Sequence, residues 1–311
     1  MDQDNCKDPG ILLRVGRPIP LPGQNTTQKI VTSYFLPSNE EERKRLDMQN
    51  QFLTKVMFEG KLICVPQLKL LPGDEILETA TGTGIWLVEL AKEIPSTIVL
   101  TGIDIEQRLF PVQHPENRIT FLSHSVTHLP VSWSNKFKLV NQRLLFGALT
   151  LEQWRMCFRE IYRVLEPGGW VQLLEGGPDV TTCSGPNMRS LLDSLLMLFR
   201  IRNLVPDVQY NIDKLLGESG FINVHKRTTA IPRLGQGAKL EYSEYEDYKK
   251  IVMTFFATAK PSLLATGRFE SEVEYDRLLK GMDDEWNIPS LALSRWDWTV
   301  AYAQKPLEEN H

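Results

Sequence analysis

The residues best placed to do chemistry lie in one run, Asp74-Glu75-Ile76-Leu77-Glu78-Thr79-Ala80-Thr81-Gly82-Thr83-Gly84. Ile76 to Glu78 have the character of a short buried strand, and Thr79 to Gly84 that of a glycine-rich turn. Ile85, Trp86, Val88, Leu90 and Ala91 then start an apolar helix closed by Pro95. A strand that ends in such a turn and opens a helix lets backbone approach a ligand closely. The helix N–H groups and dipole then face its anionic or carboxylate part. Gly82-Thr83-Gly84 alone fits several nucleotide cofactors. Asp104 narrows the choice: it stands 20 residues past Gly84, at the end of a second strand, where a carboxylate accepts both hydroxyls of an adenosine ribose. A dinucleotide fingerprint would also require a small residue three past Gly84, where this chain has Leu87. The ligand expected is therefore a nucleoside outside the dinucleotide class.

Other polar groups belong to the same edge of the expected sheet. Glu175 ends the fifth predicted strand, where open α/β sheets present groups to ligands, so it is a candidate base or substrate anchor. The competing reading is a capping role, with Gly176-Gly177 opening a helix. Asn141, Gln142 and Arg143 leave the fourth strand at that edge, Asn141 toward cofactor or substrate and Arg143 as substrate contact or structural ion pair. Tyr34, Arg45 and Gln49 fall on an N-terminal segment able to close over the site as a lid; the competing reading makes Arg45 and Gln49 a solvated helix face. His124, His128 and His225 are isolated and read as structural or surface residues. Cys6, Cys64, Cys157 and Cys183 show no C-x-x-C spacing, so neither a metal site nor a disulfide framework is expected.

The elements that position these groups alternate strand and helix, which predicts an α/β fold with a mostly parallel sheet covered on both faces. Predicted strands cover Glu75 to Glu78, Ile98 to Asp104, Ile119 to Ser123, Phe137 to Asn141 and Trp170 to Glu175, with late strands at Ile222 to Ile231 and Trp296 to Gln304. Ser38 with Glu41 has the form of a capping box for a helix over 39–58 stopped by Gly60. Thr150 with Gln153 has the same form for a helix bearing Leu151, Trp154, Phe158, Ile161 and Leu165 and ending at Pro167-Gly168-Gly169. Two apolar stripes follow: Met188, Leu191, Leu192, Leu195, Leu198 and Phe199, then Tyr245, Tyr248, Ile251, Val252, Phe255 and Phe256. Each serves as core or lines a pocket for an apolar substrate. The expected organisation is an extended arm at 1–30 and one domain at 31–311. Within the domain, lid helices take 31–72, the cofactor core 73–178, the helical cap 179–220 and 235–290, and the late strands 221–234 and 291–305.

Composition bounds the partners. Across 311 residues, 35 basic and 39 acidic side chains give a net charge of -4 with no basic block, so no attraction to nucleic acid or an anionic membrane is expected. No apolar run reaches the roughly 18 residues of a membrane span, and a cytoplasmic protein is the expectation. The sequence leaves a homodimer open.

Glu78, Ala80, Gly82 and Gly84 resemble the E/D-x-G-x-G-x-G loop of class I methyltransferases that use S-adenosylmethionine (SAM). Gly102-Ile103-Asp104-Ile105 resembles their ribose-binding segment, and Arg163 to Gly169 the approach to their fifth strand. More narrowly, Tyr34 to Asp47, Gly82 to Trp86 and Leu139 to Arg143 look like the LaeA-like family of fungal methyltransferases. The resemblance implies a Rossmann-like, seven-stranded fold with SAM as cofactor. It puts methionine against Glu78, Ala80, Thr81, Gly82, Thr83 and Gly84, ribose against Asp104 and Ile105, and adenine against Ser125 and Val126, with Asn141 a further cofactor contact. Two positions depart from the family: Ala80 replaces its first glycine, and Ser125 stands where an aspartate often receives the adenine amino group, a role its hydroxyl can fill. The function implied is methyl transfer to an O or N atom of an apolar secondary metabolite. Two alternatives are a regulator of secondary metabolism and a SAM-binding enzyme that catalyses a rearrangement or cyclisation.

Overall fold

Strands whose residues are buried along almost their whole length belong inside a sheet covered on both faces. In the computed structural model, which describes residues 35–112, 118–179, 185–231, 241–288 and 295–307, β1 (Glu75–Thr79), β2 (Val99–Asp104) and β4 (Phe137–Arg143) have that pattern. The remaining strands are β3 (Ile119–Ser123), β5 (Leu165–Asp179), β6 (Ile222–Ala230) and β7 (Arg295–Gln304). They form one seven-stranded sheet in the order β3-β2-β1-β4-β5-β7-β6. Pairing is parallel from β3 to β5, and β7 runs antiparallel to both β5 and β6. The expected seven-stranded, mostly parallel α/β fold is thus present. Edge strand β6 exposes Lys226, Arg227 and Thr228, charged and polar groups that discourage pairing with another chain.

The pleat sends neighbouring residues to opposite layers. Ile76, Leu100 and Leu139 pack under α2 (Ile85–Glu93) with Leu87 and Leu90. Leu77, Val140 and Leu173 face the larger core, with Phe158 and Ile161 of α3 (Leu151–Val164). Four further helices belong to that side of the chain: α4 (Pro186–Ile201), α5 (Val208–Glu218), α6 (Tyr242–Leu264) and α7 (Glu272–Trp286). α5 packs along β5, β6 and β7, while α4, α6 and α7 pack on one another.

Several local expectations need correction. The first helix, α1 (Glu40–Phe58), is capped by Asn39, whose Oδ1 accepts from the Glu42 N–H at 2.9 Å, not by the Ser38 and Glu41 box. An Asn one residue on offers the same short acceptor to the third helical N–H. Among the described residues, α1 is the only helix of the expected lid segment 31–72. At α3 the Thr150 and Gln153 box forms as expected, but the helix stops at Val164 and Leu165 is already extended. Pro167 keeps the helix from running further, because it has no N–H to donate and disfavours helical geometry at Glu166. Gly176-Gly177 open no helix; they continue β5 opposite Trp298 and Asp297 of β7. The arm at 1–30, Tyr34, Cys6 and Cys183 lie outside the described residues.

Candidate functional site

The glycine-rich turn leaves β1 through Ala80, which takes a left-handed backbone with φ 52°, followed by Gly82 at 55° and Gly84 at 73°. Ala80 therefore keeps the backbone shape for which glycine is the usual residue. The Thr81 N–H donates to the Ile103 carbonyl at 2.8 Å, tying the turn to β2. Gly82 donates its N–H to Asp104 Oδ2 at 2.9 Å, and Glu106 donates to Asp104 Oδ1 at 3.0 Å. Burial raises the Asp104 carboxyl above its ordinary range, and these backbone donors pull it back. Close packing is secured by absent side chains on the strand: a Cβ on Gly102 would lie 2.7 Å from the Phe121 ring and 2.9 Å from Leu87 Cδ1. Leu87 thus finds its room on β2, without a third glycine in the helix.

Under the turn, Glu78 is almost wholly buried. Thr81 donates its hydroxyl to Glu78 Oε2, and Asn141 Nδ2 donates to Oε1 at 3.2 Å. Arg143 reaches the same oxygen at 3.5 Å while its guanidinium lies 5.7 Å from the centre of the Trp86 ring. Burial pushes Glu78 up to about 7, and the Arg143 charge is the largest opposing influence.

α1 lies across the turn. Leu46 faces Gly82, where a Cβ would be 3.7 Å from Leu46 Cδ1, and Thr83 donates its hydroxyl to Asp47 Oδ1 at 2.5 Å. One helical position earlier, Arg45 is clamped by both oxygens of buried Glu42 at 2.7 Å and donates to Gln49 Oε1 at 3.0 Å.

Beside this helix is a cavity of about 600 Å³ counting its open mouth. α1 lends Arg45, Leu46 and Gln49; the turn after β4 lends Leu144, Phe146 and Gly147; α6 lends Tyr248, Ile251, Val252 and Phe255; β7 lends Trp296 and Trp298; Phe35 and Leu36 complete the lining. The lining contains no carboxylate and no imidazole among the described residues. Tyr248, Ile251, Val252 and Phe255 of the α6 stripe therefore line a pocket as well as packing in the core, whereas Tyr245 and Phe256 of α6 and Met188, Leu191, Leu192, Leu195, Leu198 and Phe199 of α4 are core residues outside the lining.

Comparison with known proteins places this geometry in a family. Residues 76–169 match the family described as a methyltransferase domain. The N-methyltransferase sirN of Leptosphaeria maculans is 36% identical over 47% of this chain and 50% of its own length. The N-methyltransferase verN of Clonostachys rogersoniana is 30% identical over 62% of this chain and 67% of its own length. The chain belongs to the class I SAM-dependent methyltransferases. The same fold is found in phosphoethanolamine N-methyltransferase 2 of Haemonchus contortus, solved with S-adenosyl-L-methionine. That structure is 20% identical, with a TM-score of 0.53 over 87% of this chain and 57% of that one. The chain thus spans half the length of sirN and two thirds of verN.

Within this methyltransferase fold the sequence-predicted residues separate into groups. Glu78, Thr81, Gly82, Asp104, Asn141 and Arg143 are drawn together by the contacts above. Ile105 is 48% exposed beside Asp104. Ser125 turns its hydroxyl to Thr127 Oγ1 at 2.8 Å, and Val126 is buried beneath the same turn. Arg45 and Gln49 line the cavity, apart from the glycine-rich turn. Glu175 lies outside the lining, fully buried, its two oxygens accepting from the Leu145 and Phe146 N–H groups at 3.0 and 2.9 Å. His225 stacks on Tyr302 along the edge strand, and His124 meets the edge of Trp133. Burial pushes the Cys64 thiol up to about 12 and raises Cys157 as well, consistent with unreactive thiols. Sequence reasoning missed Leu46, Asp47, Phe146 and Gly147; the only signal for Asp47 was its place at the end of the family-like segment Tyr34 to Asp47.

Proposed function

We propose that this methyltransferase moves a methyl group from SAM to a nitrogen of an apolar, secondary-metabolite-like small molecule held in the aromatic cavity. The observation that carries the reading is the shared wall. Leu46 packs on Gly82 of the cofactor turn and also lines the cavity, so a group in the cavity sits next to whatever the turn holds. The names of sirN and verN support nitrogen as the acceptor atom.

The residues present fit an adenosyl ligand. Asp104 is buried yet retains lone pairs beyond its two backbone donors, as a ribose acceptor needs. Ile105 leaves an apolar face open beside it for a purine, with Ser125 and Val126 on the neighbouring turn. Glu78, Thr81 and Asn141 would hold the methionine end. SAM, when bound, supplies an electrophilic sulfonium methyl. The chain's contribution is orientation and exclusion of water, and orientation can supply on the order of 7–11 kcal/mol of the barrier. A neutral nitrogen needs no proton removed before attack, whereas a phenol or alcohol does. The lining without carboxylate or imidazole therefore favours the nitrogen acceptor, and Glu175, with both oxygens occupied by backbone, is read as structural.

The test is incubation of the purified protein with methyl-labelled SAM and matched apolar compounds bearing either an N–H or an O–H. Label is expected in the nitrogen compounds with formation of S-adenosylhomocysteine. Label in the hydroxyl compounds alone, or turnover without consumption of SAM, would overturn the proposal.

A further inference from the structure

We propose that Glu175 is a positioning residue for the methyl acceptor, both oxygens of its buried carboxyl group clamping the turn Leu144 to Gly147 that forms one wall of the cavity. This rests on the cavity being the acceptor site. The turn needs a clamp because Leu144 is held in the left-handed region at φ 63°, a conformation that a branched L-residue disfavours. Its N–H donates to the Leu174 carbonyl at 2.9 Å, and the next two N–H groups go to the two Glu175 oxygens.

The consequences reach the lining directly. Gly147 is pressed so close to Phe35 that a Cβ would lie 2.9 Å from its Cε1. The Phe146 ring stands edge-on to Trp296 at 5.8 Å between centroids. Leu144, Phe146 and Gly147 therefore reach the cavity in positions set by the clamp.

The residue type follows from the geometry. Two convergent N–H donors require two acceptor oxygens on one side chain, which a carboxyl group supplies either ionised or with its O–H turned away from them; a glutamine would turn its own NH₂, which accepts nothing, toward one donor. A fully buried carboxyl group is costly without such partners, so packing alone does not account for its presence.

The experiment uses the full chain with Glu175→Gln, read by steady-state kinetics with a nitrogen acceptor and by hydrogen exchange across residues 144–147. The expected result is an acceptor KM raised about tenfold, with kcat and SAM affinity within about twofold, and faster exchange of the turn. In a Leu144→Gly background, which allows the same backbone without strain, Glu175→Gln is expected to raise KM less than it does in the parent. An unchanged exchange rate, or a loss in kcat and SAM affinity equal to that in KM, would overturn the proposal. Should Glu175→Gln fail to fold, Glu175→Asp, which keeps both oxygens one methylene short, carries the same comparison. Faster exchange in a protein that methylates no acceptor would sustain the clamp and defeat the reading of the cavity instead.

Discussion

Asp104 and Ala80 carry opposite lessons about single residues. Asp104 is the group on which the proposed ribose recognition depends, and Asp104→Ala removes both that acceptor and the anchor for the Gly82 N–H. Calorimetry should find SAM binding weaker by about 3 kcal/mol, near a hundredfold, since hydrogen bonds to a charged group contribute about 1.5–3 kcal/mol each; a loss below threefold would contradict the assignment. Ala80 is a departure from the family that the backbone absorbs, at φ 52°. Ala80→Gly should relieve roughly 1 kcal/mol of strain, partly offset by the flexibility glycine gives the unfolded chain. A small rise in Tm with unchanged SAM affinity is the expected outcome, and a clear loss of stability would show that the methyl group packs favourably. Gly102→Ala goes the other way: the added Cβ meets Phe121 and Leu87, and chemical denaturation should register about 1–3 kcal/mol of destabilisation.

α1 is the element that joins the two halves of the site. Arg45 faces the cavity, Leu46 faces both cavity and turn, and Asp47 holds Thr83 of the turn. The helix is itself held by Asn50 on Glu89 of α2 and by Phe52 stacked on Tyr248 of α6 at 5.4 Å. Asp47→Ala should therefore weaken SAM affinity and raise acceptor KM together, each about threefold to tenfold for one lost hydrogen bond; a change in only one would show that the helix does not couple them. Much at this scale was legible in advance. The strands followed from short apolar runs, the turn from its glycines, and α3 from its capping box, because these signals are local. The true cap of α1 was misread because Ser38 and Asn39 are both good caps and only backbone geometry chooses between them. The cavity was out of reach: its rings come from Phe35, the turn after β4, α6 and β7, which meet only because β7 inserts antiparallel beside β5. The α6 stripe offered either core or pocket, and tertiary packing gave both, four of its six residues lining the cavity.

For the molecule as a whole, burial of acids along the sheet's carboxyl edge leaves a signature in stability. Burial pushes Glu175 up to about 8 from an ordinary 4.5; the titratable group facing it from α3 is the Cys157 thiol, itself raised by burial. The folded state then binds this proton more tightly than the unfolded chain, so stability declines as pH rises from about 4.5 to about 8, by at most ~1.4 kcal/mol per pH unit. Glu78 and Asp104, also raised by burial, add a decline of the same sign. Urea unfolding at several pH values should show the slope, and Glu175→Gln should flatten it; an unaltered slope would mean that Glu175 is not held protonated by burial.

The proposed site has the methyl acceptor in the aromatic cavity and SAM on the β1 turn. It is tested most directly by filling the cavity from α6 with Val252→Phe and measuring SAM binding and methyl transfer on the same preparation. SAM affinity is expected to stay within about twofold of the parent and transfer to the nitrogen acceptor to fall by about a hundredfold or more, as an acceptor excluded from its site would give. Transfer at the parental rate with the cavity filled would contradict it.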